Sequence, residues 1–330
     1  MARPGSTPLA WPRNSRWRRG EARRDEEQGS SRDQGFYDCE VSDRRAEPLL
    51  EGTVVRLFDV TCGAKESAPT EEEQTLTTQV ILPLRGCFEV YRGRDVTVAD
   101  PVSAVIFRAG DDYRIGHPAP DGDDCVVFAL PPESAEDAVG SNGIAGIAGL
   151  VEPDVRSRLH GARAALRDGG IDPLEAEEEG LDLLRSILRG LPRRDGSGGG
   201  ALGRTQRSTV ERARALLASR PAERWRLDQI AREVFISPWH LARLFRTATG
   251  ESISRYLLRL RLAVALDRLA GGERDLAALS LELGFAHHSH FSARFRAMFG
   301  VTPSAFRSSL STDRLARSRT IVTATDLAPS

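Results

Sequence analysis

The chain has 330 residues, of which 40% are hydrophobic, and a formal net charge of −1. This length exceeds one typical domain and predicts two domains with connecting segments. The sequence contains no run of about 18 apolar residues, and its Arg-rich start contains no apolar core, so it argues against a membrane or secreted protein and predicts a cytoplasmic one.

The first 48 residues are rich in Arg, Pro, Gly, Ser and acidic residues and contain few large apolar side chains. Such a stretch cannot bury enough apolar surface to fold, so residues 1–48 are predicted to form a disordered arm. Its arginines would make it a weak tether on DNA. A start codon assigned too far upstream would explain the same composition.

Residues 49–132 contain short runs of β-branched and aromatic residues separated by Gly, Pro and Asp. The runs are GTVVRLFDV, TLTTQVILPL, CFEVYRG, DVTVA, SAVIFRA and DCVVFAL. This rhythm predicts strands about ten residues apart, and hence a small antiparallel β-barrel or sandwich. Together with the helices that follow, it predicts a multidomain α+β fold.

The predicted β-region contains a single histidine, His117. A catalytic metal in such a barrel needs several imidazole and carboxylate ligands. A lone histidine more often belongs to a turn or a core, so we expect no metal and no cofactor. The cysteines lack C-x-x-C spacing and are predicted to be free thiols, at least some of them buried; they are Cys39, Cys62, Cys87 and Cys125.

Residues 133–191 carry two amphipathic stripes that predict two helices. These helices either cover the barrel or pair with a second subunit. The run PRRDGSGGGALG that follows predicts a flexible linker over residues 192–205. The stripes consist of Val155, Leu159, Ala162 and Leu166, and of Leu181, Leu184, Ile187 and Leu188.

The two halves of the chain differ in charge. Residues 204–309 contain 18 arginines against 9 acidic residues, whereas residues 49–203 contain 15 basic residues against 27 acidic ones. The C-terminal part is therefore the one suited to a polyanionic partner.

Two copies of a helix-turn-helix pattern lie within residues 227–307. In the first copy an apolar-periodic helix runs into Phe235 and Ile236, and Ser237 is predicted to cap a second helix that opens with Pro238. In the second copy the turn is Gly284-Phe285-Ala286. Each second helix has a buried apolar face and an outward face with Arg or His. An ordinary helical bundle would give the same apolar stripes.

Three motifs make the pattern specific. They are S-P-x-x-L-x-R-L-F-x-x-x-T-G at 237–250, Y-L-x-x-L-R-L-x-x-A at 256–265, and L-G-F-x-x-x-S-H-F-S-x-x-F-x-x-x-F-G-V-T-P-x-x-F-R at 283–307. Through them the stretch resembles the DNA-binding domain of AraC/XylS-type transcription regulators. The resemblance implies an all-α domain over 206–309 with two helix-turn-helix units, followed by a tail over 310–330.

Two positions depart from the family pattern. Phe235 stands where the family usually has a small or Gly residue, and a bulky residue there costs about 1–2 kcal/mol if the turn requires a positive φ. Ser280 replaces a common Ala. The β-region more weakly resembles the cupin-type sensor barrel often fused to this domain, through R-G-x-F and the turn after His117.

The resemblance implies a bacterial, sequence-specific DNA-binding regulator that is not an enzyme. Its expected partners are double-stranded DNA, bound in the major groove over two successive turns, and RNA polymerase. It also implies a small-molecule effector for the barrel and a homodimer through the helices of 133–191. The sequence does not decide between an activator and a repressor.

The predicted DNA contacts lie on the second helix of each unit. Arg243 is expected to read guanine through two hydrogen bonds, whereas Arg246, Arg294 and Arg296 contact phosphates. Trp239 is expected to pack on a thymine methyl group. The complete predicted set is Trp239, His240, Ala242, Arg243, Arg246, His287, His288, Ser289, Ser292, Arg294 and Arg296.

Three alternatives remain at this point. One is a constitutive DNA-binding regulator with a purely structural barrel. The others are enzymes: a cupin oxygenase fused to a DNA-binding domain, or an alkyl-transfer repair protein that shares this domain. The single barrel histidine argues against the oxygenase, and the absence of clustered cysteines argues against the repair protein.

Overall fold

The computed structural model describes residues 44–64, 68–119, 121–139, 148–169, 171–191 and 202–310. The predicted arm as far as residue 43, most of the predicted linker and nearly all of the predicted tail lie outside these residues. None of the helices in this part of the chain is long and apolar enough to cross a membrane.

The strands of the N-terminal part are short and entirely antiparallel. They are β1 (Arg44–Glu51), β2 (Arg56–Cys62), β3 (Glu73–Gln74), β4 (Thr78–Arg85), β5 (Phe88–Arg92), β6 (Asp95–Ala99), β7 (Ser103–Phe107), β8 (Asp112–Gly116), β9 (Asp123–Leu130) and β10 (Ala148–Leu150). They form two sheets, with the orders β1-β2-β9-β4-β7-β10 and β3-β8-β5-β6. Strand β1 begins inside the predicted arm because residues 44–48 pair with β2.

The helices lie between and after the strands. They are α1 (Pro132–Val139), α2 (Pro153–Arg167), α3 (Pro173–Arg189), α4 (Arg204–Ser219), α5 (Leu227–Glu233), α6 (Pro238–Thr249), α7 (Ile253–Ala270), α8 (Leu276–Glu282) and α9 (His288–Phe299). Residues 303–310 are also helical. The predicted α+β fold class, with antiparallel sheets before an all-α C-terminal part, is confirmed.

The six-stranded sheet is buried on both faces. Because successive side chains of a strand point to opposite faces, Val127 of β9 faces the smaller sheet and packs with Phe88. Its neighbour Phe128 packs on the other side with Leu159 of α2 and Leu183 of α3. Helices α2 and α3 therefore cover the sheet, one of the two roles predicted for them. Their pairing with a second subunit remains a prediction.

The C-terminal helices enclose two separate hydrophobic clusters. Helices α4 to α6 and the first half of α7 surround the first cluster, which includes Leu241, Phe245 and Tyr256. The second half of α7 packs with α8 and α9 around Phe291 and Phe295. One long helix thus contributes to both cores, and this sharing fixes the two helix-turn-helix units next to each other.

Candidate nucleic-acid interface

The first helix-turn-helix unit consists of α5, a short turn and α6. Phe235 lies in the turn with φ 59°, the one positive φ of a non-glycine residue in the described part of the chain. Its side chain is 83% exposed. Ser237 then caps α6 as predicted, because its hydroxyl oxygen accepts the backbone N–H of His240 at 3.3 Å.

Helix α6 buries Leu241, Leu244 and Phe245 and turns its other side to solvent. Arg243 and Arg246 lie on the exposed side, and among the described residues neither has an ion-pair or hydrogen-bond partner for its guanidinium. Trp239 is 84% exposed. An exposed aromatic ring beside two unpaired cations on one helix suits an anionic partner that also offers apolar surface.

His240 only partly fits the predicted outward face. Its side chain is half-buried, and its Nε2 atom is buried without a hydrogen-bond partner in the described chain. The imidazole is turned toward the protein because position 240 lies between the exposed Trp239 and the buried Leu241 on the helix surface. Ala242, by contrast, is exposed as predicted.

The second unit consists of α8, its turn and α9. His287 caps α9, because its Nδ1 accepts the backbone N–H of His290 at 3.2 Å, so only Nε2 of this ring is free for another contact. His288 Nε2 and Ser292 Oγ are 3.2 Å apart, and Arg294 donates to His290 Nε2 at 3.3 Å. Each of the three histidine side chains at the start of α9 thus makes a hydrogen bond within this segment.

The remaining predicted residues of α9 are exposed. Ser289 and Arg296 face solvent, and Arg296 has no partner for its guanidinium among the residues that the structure describes. Behind them Phe291 and Phe295 are fully buried. The predicted contact residues of α6 and α9 are therefore exposed or half-buried, and His240 is the one whose side chain turns toward the protein.

Arg261 of α7 holds the two helix-turn-helix units in a fixed relative orientation; it is the arginine of the motif at 256–265, but its contacts were not predicted from the sequence. Its guanidinium donates to the carbonyl oxygens of Pro221 at 2.7 Å and Glu223 at 2.7 Å, before α5, and of Gly284 at 3.2 Å, in the second turn. Burial, and then the charge of Arg224, lower the pKa of Arg261. Through these three carbonyl contacts Arg261 links the segment before α5 to the turn of the second unit, which fixes the orientation of the two units relative to each other.

A family model described as a helix-turn-helix domain matches residues 230–309. The regulatory protein SoxS of Escherichia coli is 35% identical over 81 residues, which are 24% of this chain and 76% of SoxS. The chain belongs to the AraC/XylS family of transcription regulators.

Two further relatives have the same character. The transcriptional activator AarP of Providencia stuartii is 32% identical over 81 residues, which are 24% of this chain and 60% of AarP. A transcriptional regulator with an AraC-type DNA-binding domain from Chromobacterium violaceum, known from a crystal structure, is 31% identical in sequence. The match covers 31% of this chain and 92% of that chain, with a TM-score of 0.30. The predicted AraC family membership is confirmed, and the relatives named here are regulators.

The first unit of this AraC-family chain is joined to the β-sheets by a buried polar network. Arg214 of α4 donates to Asp100, which follows β6, at 3.0 Å and to the hydroxyl of Tyr256 at 2.7 Å. The Tyr256 hydroxyl in turn donates to Asp100. Burial by itself lowers the pKa of Arg214, but the charges of Glu211 and Asp100 raise it well above its usual range.

The same junction contains apolar contacts. Cys87, Val102 and Ala119 of the β-part belong to the hydrophobic cluster of the first unit. A separate polar link runs from α2 to α7, where Arg163 bridges Asp59 at 2.6 Å and Asp267 at 3.3 Å. These residues were missed from the sequence because their partners are far away along the chain.

His117 lies buried in the β-part, one of the two settings expected for a lone histidine. Its Nε2 lies 3.6 Å from Cys62 Sγ and 3.2 Å from Asp123 Oδ2. The antiparallel register of β2 and β9 places Cys62 directly opposite Asp123, which spacing along the sequence does not reveal. The predicted free, buried state of Cys62, Cys87 and Cys125 is observed, whereas Cys39 lies outside the described residues.

Proposed function

We propose that the chain is a transcription regulator that inserts α6 and α9 into successive major grooves of double-stranded DNA, about 34 Å apart. The observation that carries the proposal is that Arg243, Arg246 and Arg296 are exposed and have no guanidinium partner within the described part of the chain. Since Arg261 and the shared helix α7 fix the two units relative to each other, one chain reads an asymmetric site.

The contact residues divide into two roles. Arg243 reads guanine through two parallel hydrogen bonds, worth about 1–3 kcal/mol of discrimination, and Trp239 packs on a thymine methyl group. Arg246, Arg294 and Arg296 position the helices on phosphates. In the second unit His287 and His288 offer ring nitrogens, and Ser289 and Ser292 hydroxyls, to base edges or phosphates, while Ala242 and the half-buried His240 complete the face of α6.

The test first needs a binding site, which is found by selecting the genomic DNA fragments that the full chain binds. Affinity for the selected and for a scrambled duplex is then measured from low to high salt. Arg243→Ala should weaken the selected site about tenfold or more and the scrambled duplex much less. Arg296→Ala should weaken both equally and reduce the log–log salt slope by about 0.9.

Arg232→Ala is the matched control, because Arg232 is an exposed arginine of α5 that pairs with Asp228 at 3.2 Å and lies off the proposed face. It should leave both affinities unchanged. Binding that does not depend on salt, or equal effects of the Arg243 and Arg296 variants on the two duplexes, would refute the proposed division of roles.

We also propose that the β-part regulates the first unit in response to a small molecule. Two observations support this: the buried network between Asp100 and Arg214, and a cavity of about 400 Å³ at the same junction, lined by Pro118 and by residues of α4 and α5 such as Arg212 and Glu233. An effector bound there would act directly on α4 and α5.

Thermal melting of the full chain against a panel of metabolites tests the sensor role. An effector should raise the melting temperature and change the affinity for the selected site. In Asp100→Asn the effector should still raise the melting temperature but should no longer change the affinity for DNA. A constitutive regulator with a structural β-part would show neither effect. Contacts with RNA polymerase and a homodimer through α2 and α3 remain predictions.

A further inference from the structure

Three side chains of the β-part converge on one buried point. They are Cys62 at the end of β2, His117 after β8 and Asp123 at the start of β9, and their Sγ, imidazole nitrogen and carboxylate oxygen all lie within 4.8 Å of one another. Each of the three residues is buried. The cluster lies apart from α6 and α9, and the proposed DNA-binding function does not use it.

Hydrogen bonding does not account for this arrangement. Both Cys62 Sγ and Asp123 Oδ2 face the same nitrogen, His117 Nε2, at 3.6 and 3.2 Å. A protonated Nε2 can donate to only one of the two, and an unprotonated Nε2 can accept the Cys62 thiol proton but leaves Asp123 without a donor. Although Asp123 Oδ2 is close enough for a charge pair, it is buried and receives no hydrogen bond of acceptable geometry from the described residues. A buried, unsatisfied carboxylate oxygen needs another partner.

A single cation satisfies all three groups. Ligands bound at about 2.0–2.3 Å to a tetrahedral zinc ion lie about 3.3–3.6 Å from one another. The observed separations of 3.6 Å and 3.2 Å between His117 Nε2 and its two neighbours agree with this spacing. The combination of thiolate, imidazole and carboxylate favours zinc or a similar transition metal over Mg²⁺ or Ca²⁺, which prefer oxygen ligands.

The backbone and the surrounding side chains hold the three groups in place. Gly122 has φ 67°, and a Cβ at this position would lie 2.0 Å from the Cys62 carbonyl oxygen, so only glycine lets the chain bring Asp123 alongside Cys62. Cys125 donates to the other carboxylate oxygen of Asp123 at 3.1 Å. Such a contact orients a ligand from outside the coordination sphere.

We propose that Cys62, His117 and Asp123 bind one zinc-class divalent metal ion in the β-part. Three protein ligands leave the fourth tetrahedral position open to water or a small molecule. The ion ties together the end of β2, the start of β9 and the segment after β8. Pro118, the residue next to His117, lines the cavity against α4 and α5, so the metal also orders one wall of that cavity.

Metal binding by the purified full-length chain tests the proposal without DNA. Elemental analysis should find one zinc ion per chain. After removal by a chelator, titration with Co²⁺ should give the visible bands of a tetrahedral site and a near-ultraviolet thiolate charge-transfer band, both saturating at one equivalent. Zn²⁺ should displace Co²⁺ and raise the melting temperature of the metal-free chain.

Variants identify the ligands. Cys62→Ala should abolish the charge-transfer band, and His117→Ala and Asp123→Asn should each weaken Co²⁺ binding at least tenfold. Cys87→Ala is the matched control, because Cys87 is a buried free thiol of the same β-part outside the cluster. A folded wild-type chain with neither bound metal nor a Co²⁺ spectrum would overturn the proposal, as would loss of the charge-transfer band in Cys87→Ala alone.

Discussion

The two helix-turn-helix units have the same plan but differ in how they are built into the molecule. The core of the first unit includes Cys87, Val102 and Ala119 from the β-part, and its buried Arg214 pairs with Asp100. Among the residues that the structure describes, those in the core of the second unit all come from α7 onward. The β-part therefore packs directly into the core of the first unit.

The turns of the two units differ in how closely the rest of the chain packs against them. Phe235, in the first turn, is strained at φ 59° but exposed to solvent. Gly284, in the second turn, has φ 76°, and a Cβ there would lie 2.3 Å from the carbonyl oxygen of Ala222. The second turn is packed against the loop before α5, whereas the first has free space around it. The first unit thus tolerates a bulky side chain at a position that requires glycine in the second.

We expect the largest change in stability when a substitution breaks the polar link between the β-part and the first unit. Asp100→Ala removes one of the two carboxylate partners of the buried Arg214, since Glu211 stays paired with it at 2.9 Å, and it also removes the acceptor of the Tyr256 hydroxyl. We expect it to lower the free energy of unfolding by about 1.5–3 kcal/mol. The matched control is Asp267→Ala, on the polar link to α7, because Arg163 keeps Asp59 at 2.6 Å. We expect that variant to cost about 1 kcal/mol or less.

Urea denaturation of the full chain, with the midpoint and slope compared between variants, measures both changes. Asp100→Asn should recover part of the loss, since an amide oxygen still accepts hydrogen bonds. Equal destabilisation by Asp100→Ala and Asp267→Ala would mean that the first unit is no more tightly coupled to the β-part than the second.

Opposite effects are expected at the two turns. Gly284→Ala forces a side chain into the left-handed region and against a backbone oxygen, so it should destabilise the chain by about 1–3 kcal/mol. Phe235→Gly relieves the same backbone strain and removes only a solvent-exposed ring, so it should stabilise the chain by about 0.5–1 kcal/mol. Thermal or urea denaturation measures both. Destabilisation by Phe235→Gly would show that the exposed ring contributes packing.

Local patterns in the sequence predicted much of this molecule, and long-range pairs were missed. Ser237 was identified as a cap because capping acts over three residues. The strain at Phe235 was expected on the condition that the turn requires a positive φ, because the family that the stretch resembles usually has a small or Gly residue there. Arg214 and Asp100, by contrast, are 114 residues apart, and Cys62 and His117 are 55 apart. No periodicity relates such residues, since their contacts depend on strand register and on how the helices pack against the sheets.

We expect the smallest change in stability when the capping residue of one unit is replaced by that of the other. In the second unit His287 Nδ1 occupies the place that Ser237 Oγ occupies in the first, so His287→Ser should keep the cap and leave stability within about 0.5 kcal/mol of the wild type. His287→Ala removes the acceptor and should cost about 1 kcal/mol. Urea denaturation measures both changes, with Ser237→Ala as the reference for a missing cap in the first unit.

DNA binding by the same variants separates capping from recognition. If His287 contributes only the cap, His287→Ser binds the selected site as the wild type does. If its free Nε2 contacts DNA, His287→Ser keeps its stability and still loses affinity, whereas Ser237→Ala lowers the stability of the first unit without taking away a DNA-binding group. Equal stabilities of the Ser and Ala variants at position 287 would contradict the capping role, because the hydroxyl would then supply nothing that the methyl group lacks.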